Sequence, residues 1–190
     1  MKKIILLVIA VIFFSNLHAQ TKIGLRGGLT YNWIKAEFQS KVKPGIEGGL
    51  LANIPFTKTI SLQPELVYSY QRFRHDVKFS NIEGEGGENL HYLYLPLLLK
   101  YRFAKRFFVE GGPQVGYLYK VEDVHPWLGK NDVTEYFKRV SFGASAGLSY
   151  QVNPVASVNA RFYHSFTTAV EFSQVEFLRK MVQVGAALVF

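Results

Sequence analysis

Histidines beside hydroxyl or carboxyl groups are the residues in this sequence whose types and spacing suggest catalysis. His164 is followed by Ser165, His75 is followed by Asp76, and His91 stands alone. A histidine, a carboxylate and a serine brought together form a nucleophilic site for hydrolysis or acyl transfer. Polar residues of this kind are also ordinary in surface loops, and no spacing here marks a triad. We therefore expect no catalytic residue and no enzyme.

The other chemistry-bearing motifs give no better case for a cofactor. The five histidines are scattered and the chain has no cysteine, so no metal-ligand spacing is present. The glycine pairs at 27–28 and 111–112 are not followed by a helix that would cradle phosphate. We expect no bound metal and no cofactor.

The elements that must position these residues are eight segments in which apolar residues recur at every second position. In the clearest segment Val140, Phe142 and Ala144 alternate with Ser141 and Gly143. This period is that of a β-strand with two unlike faces. The eight segments span residues 22–33, 45–54, 60–72, 91–103, 107–119, 140–151, 157–166 and 182–190.

Short and long connections alternate strictly between these segments. The short ones are 56–59, 104–106 and 152–155, and the long ones are 34–44, 73–90, 120–139 and 167–177. An even number of strands with short periplasmic turns and long extracellular loops is the layout of an outer-membrane barrel. We predict an all-β fold, an eight-stranded antiparallel up-and-down transmembrane β-barrel, with both termini in the periplasm.

The N-terminus has the pattern of a cleaved secretory signal peptide. Lys2 and Lys3 precede an unbroken apolar run, and a more polar stretch ends at Ala19. The run is shorter than the roughly 20 residues that a membrane-spanning helix needs. We predict a signal peptide at 1–19, a barrel domain at 20–190 and export to the cell outer membrane.

The face opposite the apolar one carries charged residues that a closed barrel would enclose. Enclosed charges must be paired to be tolerated, and three bases and three acids are available. Small residues such as Gly147 and Ser145 would leave room for them. The predicted lumen charge network is Arg26, Glu47, Glu65, Lys100, Glu110 and Arg161.

Aromatic residues and prolines mark particular levels of the predicted strands. Aromatic side chains cluster toward both strand ends, as two interfacial girdles would require. Pro64, Pro96 and Pro113 fall inside strands although proline cannot donate to a ladder, so we expect bulges or local loss of pairing there. The predicted girdles are Tyr31, Trp33, Tyr68, Tyr70, Tyr117 and Tyr119 at the loop end, and Phe56, Tyr101, Phe103, Phe107, Tyr150 and Phe190 at the turn end.

Four stretches of the chain resemble a known family. QTKIGLRGGL (20–29), SLQPELVYS (61–69), YLYLPLLLKYRF (92–103) and FVEGGPQVGY (108–117), with the terminal Phe190, are similar to the PorT-like outer-membrane β-barrel family of Bacteroidota. The resemblance covers the mature chain and implies the same fold and location. The member that gives the family its name works with a secretion apparatus, and the family offers no catalytic motif.

We expect a monomeric barrel with a structural or interaction role at the cell envelope, which displays its loops and supports secretion or envelope integrity. Trp127, Tyr136 and Phe137 are candidate contact residues in the third long loop. The expected partners are outer-membrane lipid or lipopolysaccharide and other envelope or secretion proteins; nucleic acid is not expected. A narrow porin-like channel is the alternative, and a lipid- or peptide-modifying enzyme is a more distant one. Candidate lipopolysaccharide contacts are Arg72, Arg74, Lys78, Lys138 and Arg139.

Overall fold

The computed structural model describes residues 21–34, 41–79, 82–125, 129–168 and 178–190. The predicted signal peptide at 1–19 lies outside these residues. The described chain forms ten strands and one 3₁₀ helix, Thr134–Tyr136. The strands are β1 (Lys22–Ile34), β2 (Lys41–Val42), β3 (Pro44–Pro55), β4 (Ile60–Phe79), β5 (Ile82–Arg102), β6 (Phe107–His125), β7 (Gly129–Asp132), β8 (Val140–Gln151), β9 (Ala156–Thr168) and β10 (Leu178–Val189). No helix in this part of the chain is both long and apolar enough to span a membrane.

Eight of these strands close into one antiparallel ring. The order around the ring is β1, β3, β4, β5, β6, β8, β9 and β10, and β10 returns to pair with β1. Gly28 of β1, for example, lies opposite Glu47 of β3 on one side and Gly185 of β10 on the other. The two short strands are additions at the loop end, where β2 pairs with β4 and β7 pairs with β6. The predicted eight-stranded up-and-down barrel is confirmed.

The ring is polar inside and apolar outside, which is the reverse of a soluble protein. On β8, Ser141 and Ser145 point inward and are buried, whereas Phe142 and Leu148 point outward and are 53% and 55% exposed. Successive strand residues face opposite sides, so the sequence alternation fixes this arrangement. So large a continuous apolar surface requires lipid or a partner against it. Exposed apolar side chains on the eight ring strands include Leu25, Leu50, Leu66, Leu95, Val115, Leu148, Phe162 and Val184.

Two of the predicted long connections are largely strand. β4 and β5 continue through the predicted connection 73–90 and pair along its length, with Lys78 opposite Glu83. β6 likewise runs on to His125, where β7 pairs with it, so the prediction of a loop at 120–139 was wrong in extent. The part of β5 at 83–89 consists of glutamate, glycine and asparagine, so the sequence there shows no apolar alternation. The predicted short turns at 56–59, 104–106 and 152–155 are confirmed.

The three strand prolines interrupt the ladders without shifting the register. The β3–β4 ladder contains the pairs 51–65 and 54–62 and omits those between, where Pro64 lies. The β4–β5 ladder omits the pair of Pro96 and the one next to it, and the β5–β6 ladder omits the pair of Pro113 and the one next to it. Each proline lacks the N–H that its ladder position requires. Of the two expected outcomes, local loss of pairing is the one observed.

Aromatic side chains occupy both ends of the outer face. At the loop end Tyr68, Tyr117 and Tyr119 are exposed, and at the turn end Tyr101 and Phe107 are exposed. The side chain of Trp33 lies outside the described residues. Amphipathic rings at these two levels are typical of the interfaces of a membrane.

Candidate functional site: a filled lumen beneath a loop platform

The carboxylate of Glu65 lies at the centre of the barrel interior. Its Oε2 accepts hydrogen bonds from Nη1 of Arg26 (2.5 Å) and Nη1 of Arg161 (2.9 Å), and its Oε1 accepts one from Nη2 of Arg161 (2.9 Å). Gln63 on the same strand donates to Oε1 at 2.5 Å. Glu65 therefore joins two buried guanidinium groups that come from β1 and β9.

The chain of alternating charges continues in both directions from Glu65. Arg26 also donates to Glu47, and Gln183 donates to the other oxygen of that carboxylate at 2.6 Å. Arg161 also donates to Glu110, whose Oε2 lies 3.2 Å from Nζ of Lys100. The structure thus places all six predicted network residues in the interior and connects them. Together with Gln183 they come from seven of the eight ring strands, and all seven residues are buried.

The network crosses the barrel rather than following its wall. In the ring order β4 and β9 are separated by three strands on each side, so Glu65 and Arg161 reach each other from opposite walls. The remaining strand, β8, makes room: a methyl group at Gly147 would lie 2.8 Å from Cγ of Arg161. Eight strands leave an interior just wide enough for side chains, and here paired charges fill it.

An aromatic layer that the sequence did not predict lies nearer the loop end. The guanidinium of Arg179 stands 4.1 Å from the ring centroid of Tyr92, which stacks on Tyr94 at 5.2 Å. Tyr94 in turn meets Tyr163 from across the lumen at 5.8 Å. All four side chains are buried. The inward parity of Tyr92 and Tyr94 was readable from the fourth segment, but Arg179 precedes the predicted start of the eighth.

The upper ends of β4, β5 and β6 extend beyond the ring and form, with β7 and the 3₁₀ helix, what we call the loop platform. Its surface carries mixed charge: Glu122 lies 2.8 Å from Lys120 and 3.7 Å from Lys130. The hydrogen bond from Lys120 lowers the pKa of Glu122. Hydrogen bonds from the hydroxyl and amide of Thr134 lower the pKa of Asp132. Both carboxyl groups are therefore held in their charged form.

The predicted lipopolysaccharide contacts lie in different surroundings at the loop end. Arg72 faces outward on β4 and donates to the carbonyl of Pro44 through Nε (3.1 Å) and Nη2 (2.6 Å). Arg74 is half-buried and donates to two backbone carbonyls and to Asn89. Arg139 is exposed and Lys138 is half-buried, whereas the side chain of Lys78 lies outside the described residues.

The candidate contact residues of the third long loop also differ from one another. Tyr136 is 55% exposed on the 3₁₀ helix. Phe137 packs against the buried cluster that includes Leu118 and Val121, so it holds the platform on the barrel. Trp127 lies outside the described residues.

Among the described side chains, the histidines are not assembled into a catalytic arrangement. His164 faces outward with its ring edge on Phe166, whereas Ser165 faces inward and donates to the carbonyl of Thr167. His91 shares a hydrogen bond with the hydroxyl of Tyr68 at 2.6 Å. The side chains of residues 75 and 76 lie outside the described residues. Within the described residues, no group of three His, Cys, Asp or Glu side chains is placed to hold a metal.

A closed antiparallel ring with an apolar outer belt, interfacial aromatic rings and a filled polar interior defines a small membrane-spanning β-barrel. Residues 16–171 match the family described as outer membrane protein beta-barrel domain, and the chain belongs to this family. The protein is therefore an outer-membrane barrel, as predicted. No curated protein sequence matches the chain significantly.

Two crystal structures illustrate the shared fold. Neisserial surface protein A superimposes with a TM-score of 0.59 at 10% identity, covering 90% of this chain and 97% of that one. Ail, the attachment invasion locus protein of Yersinia pestis, in complex with the heparin analogue sucrose octasulfate, gives 0.54 at 13% identity, covering 90% and 99%. At such identities the likeness supports the barrel architecture alone.

Proposed function

We propose that this barrel is a structural and interaction protein of the outer membrane, which acts through its loop platform and does not conduct solutes. The observation that carries the proposal is the pairing of Glu65 with Arg161 across the lumen, because it blocks the axis along which a solute would pass. We also propose that the chain belongs to the PorT-like family of Bacteroidota, which it resembles. That resemblance suggests an envelope or secretion protein as the partner.

A continuous aqueous path would have to break charged groups apart in an interior that side chains fill. Removing one partner from a buried ion pair costs about 3–5 kcal/mol. Two such contacts, those of Arg26 and Arg161 with Glu65, lie in series with the aromatic layer of Arg179, Tyr92 and Tyr94. These costs favour a closed barrel over the porin-like alternative.

The lengths of the strands favour the platform as the functional part. β4, β5 and β6 have 20, 21 and 19 residues, whereas the other ring strands have 12 or 13. A tilted strand needs only about 9–11 residues to cross the membrane. At ~3.3 Å per residue the surplus projects the platform roughly 20 Å beyond the shorter strands. A paired sheet of this height presents a fixed surface to a partner.

We further propose that the outer rim beside the platform binds lipopolysaccharide phosphates. Arg72 faces outward directly above the girdle residues Tyr68 and Tyr70, at the level where lipid phosphates lie. Its bonds to Pro44 hold the half-buried guanidinium in place. Arg139 is the exposed candidate at this end. With the turns in the periplasm, this rim faces the outer leaflet.

Site-specific photo-crosslinking in the native outer membrane tests the proposal. A photoreactive amino acid at Tyr136 reports on the platform, and the same group at Leu95 of the apolar belt is the matched control. We expect a discrete protein adduct from position 136 and lipid adducts alone from position 95. Planar-bilayer recording of the purified chain should show no solute conductance. Stable open channels together with no adduct at position 136 would overturn the proposal in favour of a channel.

A further inference from the structure

A cavity of about 440 Å³ opens at the turn end of the barrel, below the charge network. The turns around Lys58 and Asn153 form its rim, and Lys100 and Phe108 lie on its inner walls. We call it the turn-side cavity. Its volume lies in the range of sites that hold small ligands, roughly 300–1,000 Å³. None of the functions considered above uses it.

The charged side chains that line the turn-side cavity are all basic: Lys22, Lys58, Lys100 and Arg102. Lys100 is paired with Glu110 of the charge network. Among the described residues, no acidic side chain lies within ion-pair distance of the other three. Because the six network charges balance one another, these three are a surplus. Low-dielectric walls around a one-sign cavity concentrate its potential and attract an ion of opposite sign.

Two of these cations lie near the same aromatic ring. Nζ of Lys100 lies 5.4 Å from the ring centroid of Phe108, and the guanidinium carbon of Arg102 lies 5.0 Å from it. Like charges repel each other, so their shared position on Phe108 favours an anion bound between them. Ser61 and Asn53, which hydrogen-bond to each other at 3.1 Å, add neutral donors to the wall.

We propose that the turn-side cavity binds a phosphate-bearing anion, either a free phosphate ester or the headgroup phosphate of an anionic phospholipid. Arg102 suits the forked geometry of a phosphate, and the lysines add point charge. The site does not depend on the function proposed for the platform, which lies at the opposite end of the barrel.

Titration of the full chain with pyrophosphate, in a zwitterionic detergent at low salt, tests the site by calorimetry. We expect saturable single-site binding that Arg102→Gln and Lys58→Gln each weaken about tenfold, because each removes one charge-assisted contact. Lys105→Gln is the matched control, since Lys105 is an exposed base at the same end that does not line the cavity. We expect it to change affinity less than twofold. Lys58 lies on an exposed turn, so its variant stays informative if Arg102→Gln fails to fold.

Nanodiscs distinguish the two sources of phosphate. If the lipid headgroup is the ligand, pyrophosphate binds more weakly in phosphatidylglycerol than in phosphatidylcholine, and Arg102→Gln abolishes the difference. If a free ester is the ligand, affinity is the same in both lipids. Either result supports the site. Absence of pyrophosphate binding in detergent and in phosphatidylcholine, or an equal loss in Lys105→Gln and Arg102→Gln, would overturn it.

Discussion

Replacing Glu65 by glutamine removes the charge that joins two buried guanidinium groups. The variant keeps the size of the side chain, but Arg26 and Arg161 lose a carboxylate that now lies 2.5–2.9 Å from their nitrogens. Removing one partner of a buried pair costs about 3–5 kcal/mol. Because Arg26 keeps Glu47 and Arg161 keeps Glu110, we expect the lower end, about 3 kcal/mol.

Thermal unfolding followed by heat-modifiable gel mobility measures this loss. For a chain of this size 1 kcal/mol shifts the unfolding midpoint by about 2–4 °C, so Glu65→Gln should unfold roughly 6–12 °C lower than the wild type. Glu135→Gln on the exposed platform removes the same charge without touching the network, and it should stay within about 2 °C. A Glu65→Gln midpoint equal to that of the control would refute the claim that the network is buried and unscreened.

Three further substitutions test other levels of the barrel. Leu95→Lys in the apolar belt should destabilise the chain in lipid vesicles by about 2–4 kcal/mol, whereas Val152→Lys at a turn should cost under about 1 kcal/mol; equal costs would contradict the membrane placement. Gly147→Val should lower the folded fraction on heat-modifiable gels, because Arg161 and a carbonyl occupy the space of the new side chain, and wild-type folding would disprove this packing. Asp132 has a lowered pKa, so its bond to Thr134 persists as the pH falls through the ordinary aspartate range and is lost only below it. NMR of the Thr134 amide should show a midpoint below about 3.9, absent in Asp132→Asn, and a midpoint at or above that value would contradict the bond.

The sequence predicted the ring because its physical basis is local. Each outward apolar residue must face lipid. Phe142 and Leu148 lie on the same face of β8 because they are an even number of positions apart. The same parity placed Glu65 and Arg161 inward. That they lie on opposite walls depends on ring order, which becomes readable once the short and long connections define an up-and-down barrel.

The platform and the aromatic layer were missed for different reasons. β4 pairs with β5 as far as Phe79, but the partner stretch of β5 at 83–89 consists of glutamate, glycine and asparagine and so carries no apolar alternation. Arg179 precedes the predicted start of the eighth segment, although the inward parity of Gln183 and Met181 continues to it along β10. Its burial against Tyr92 required the three-dimensional arrangement.

Lys100 is the residue that links the turn-side cavity to the charge network. It lines the cavity and also pairs with Glu110, so an anion bound there competes with Glu110 for the same ammonium group. Glu110 would then depend more on Arg161, and through it on Glu65. Coupling between two equilibria is reciprocal. If a bound anion weakens the pair of Lys100 with Glu110, then weakening that pair should raise the affinity for the anion. If the lumen passes no solute, as we propose, this route would still make barrel stability depend on what occupies its turn end.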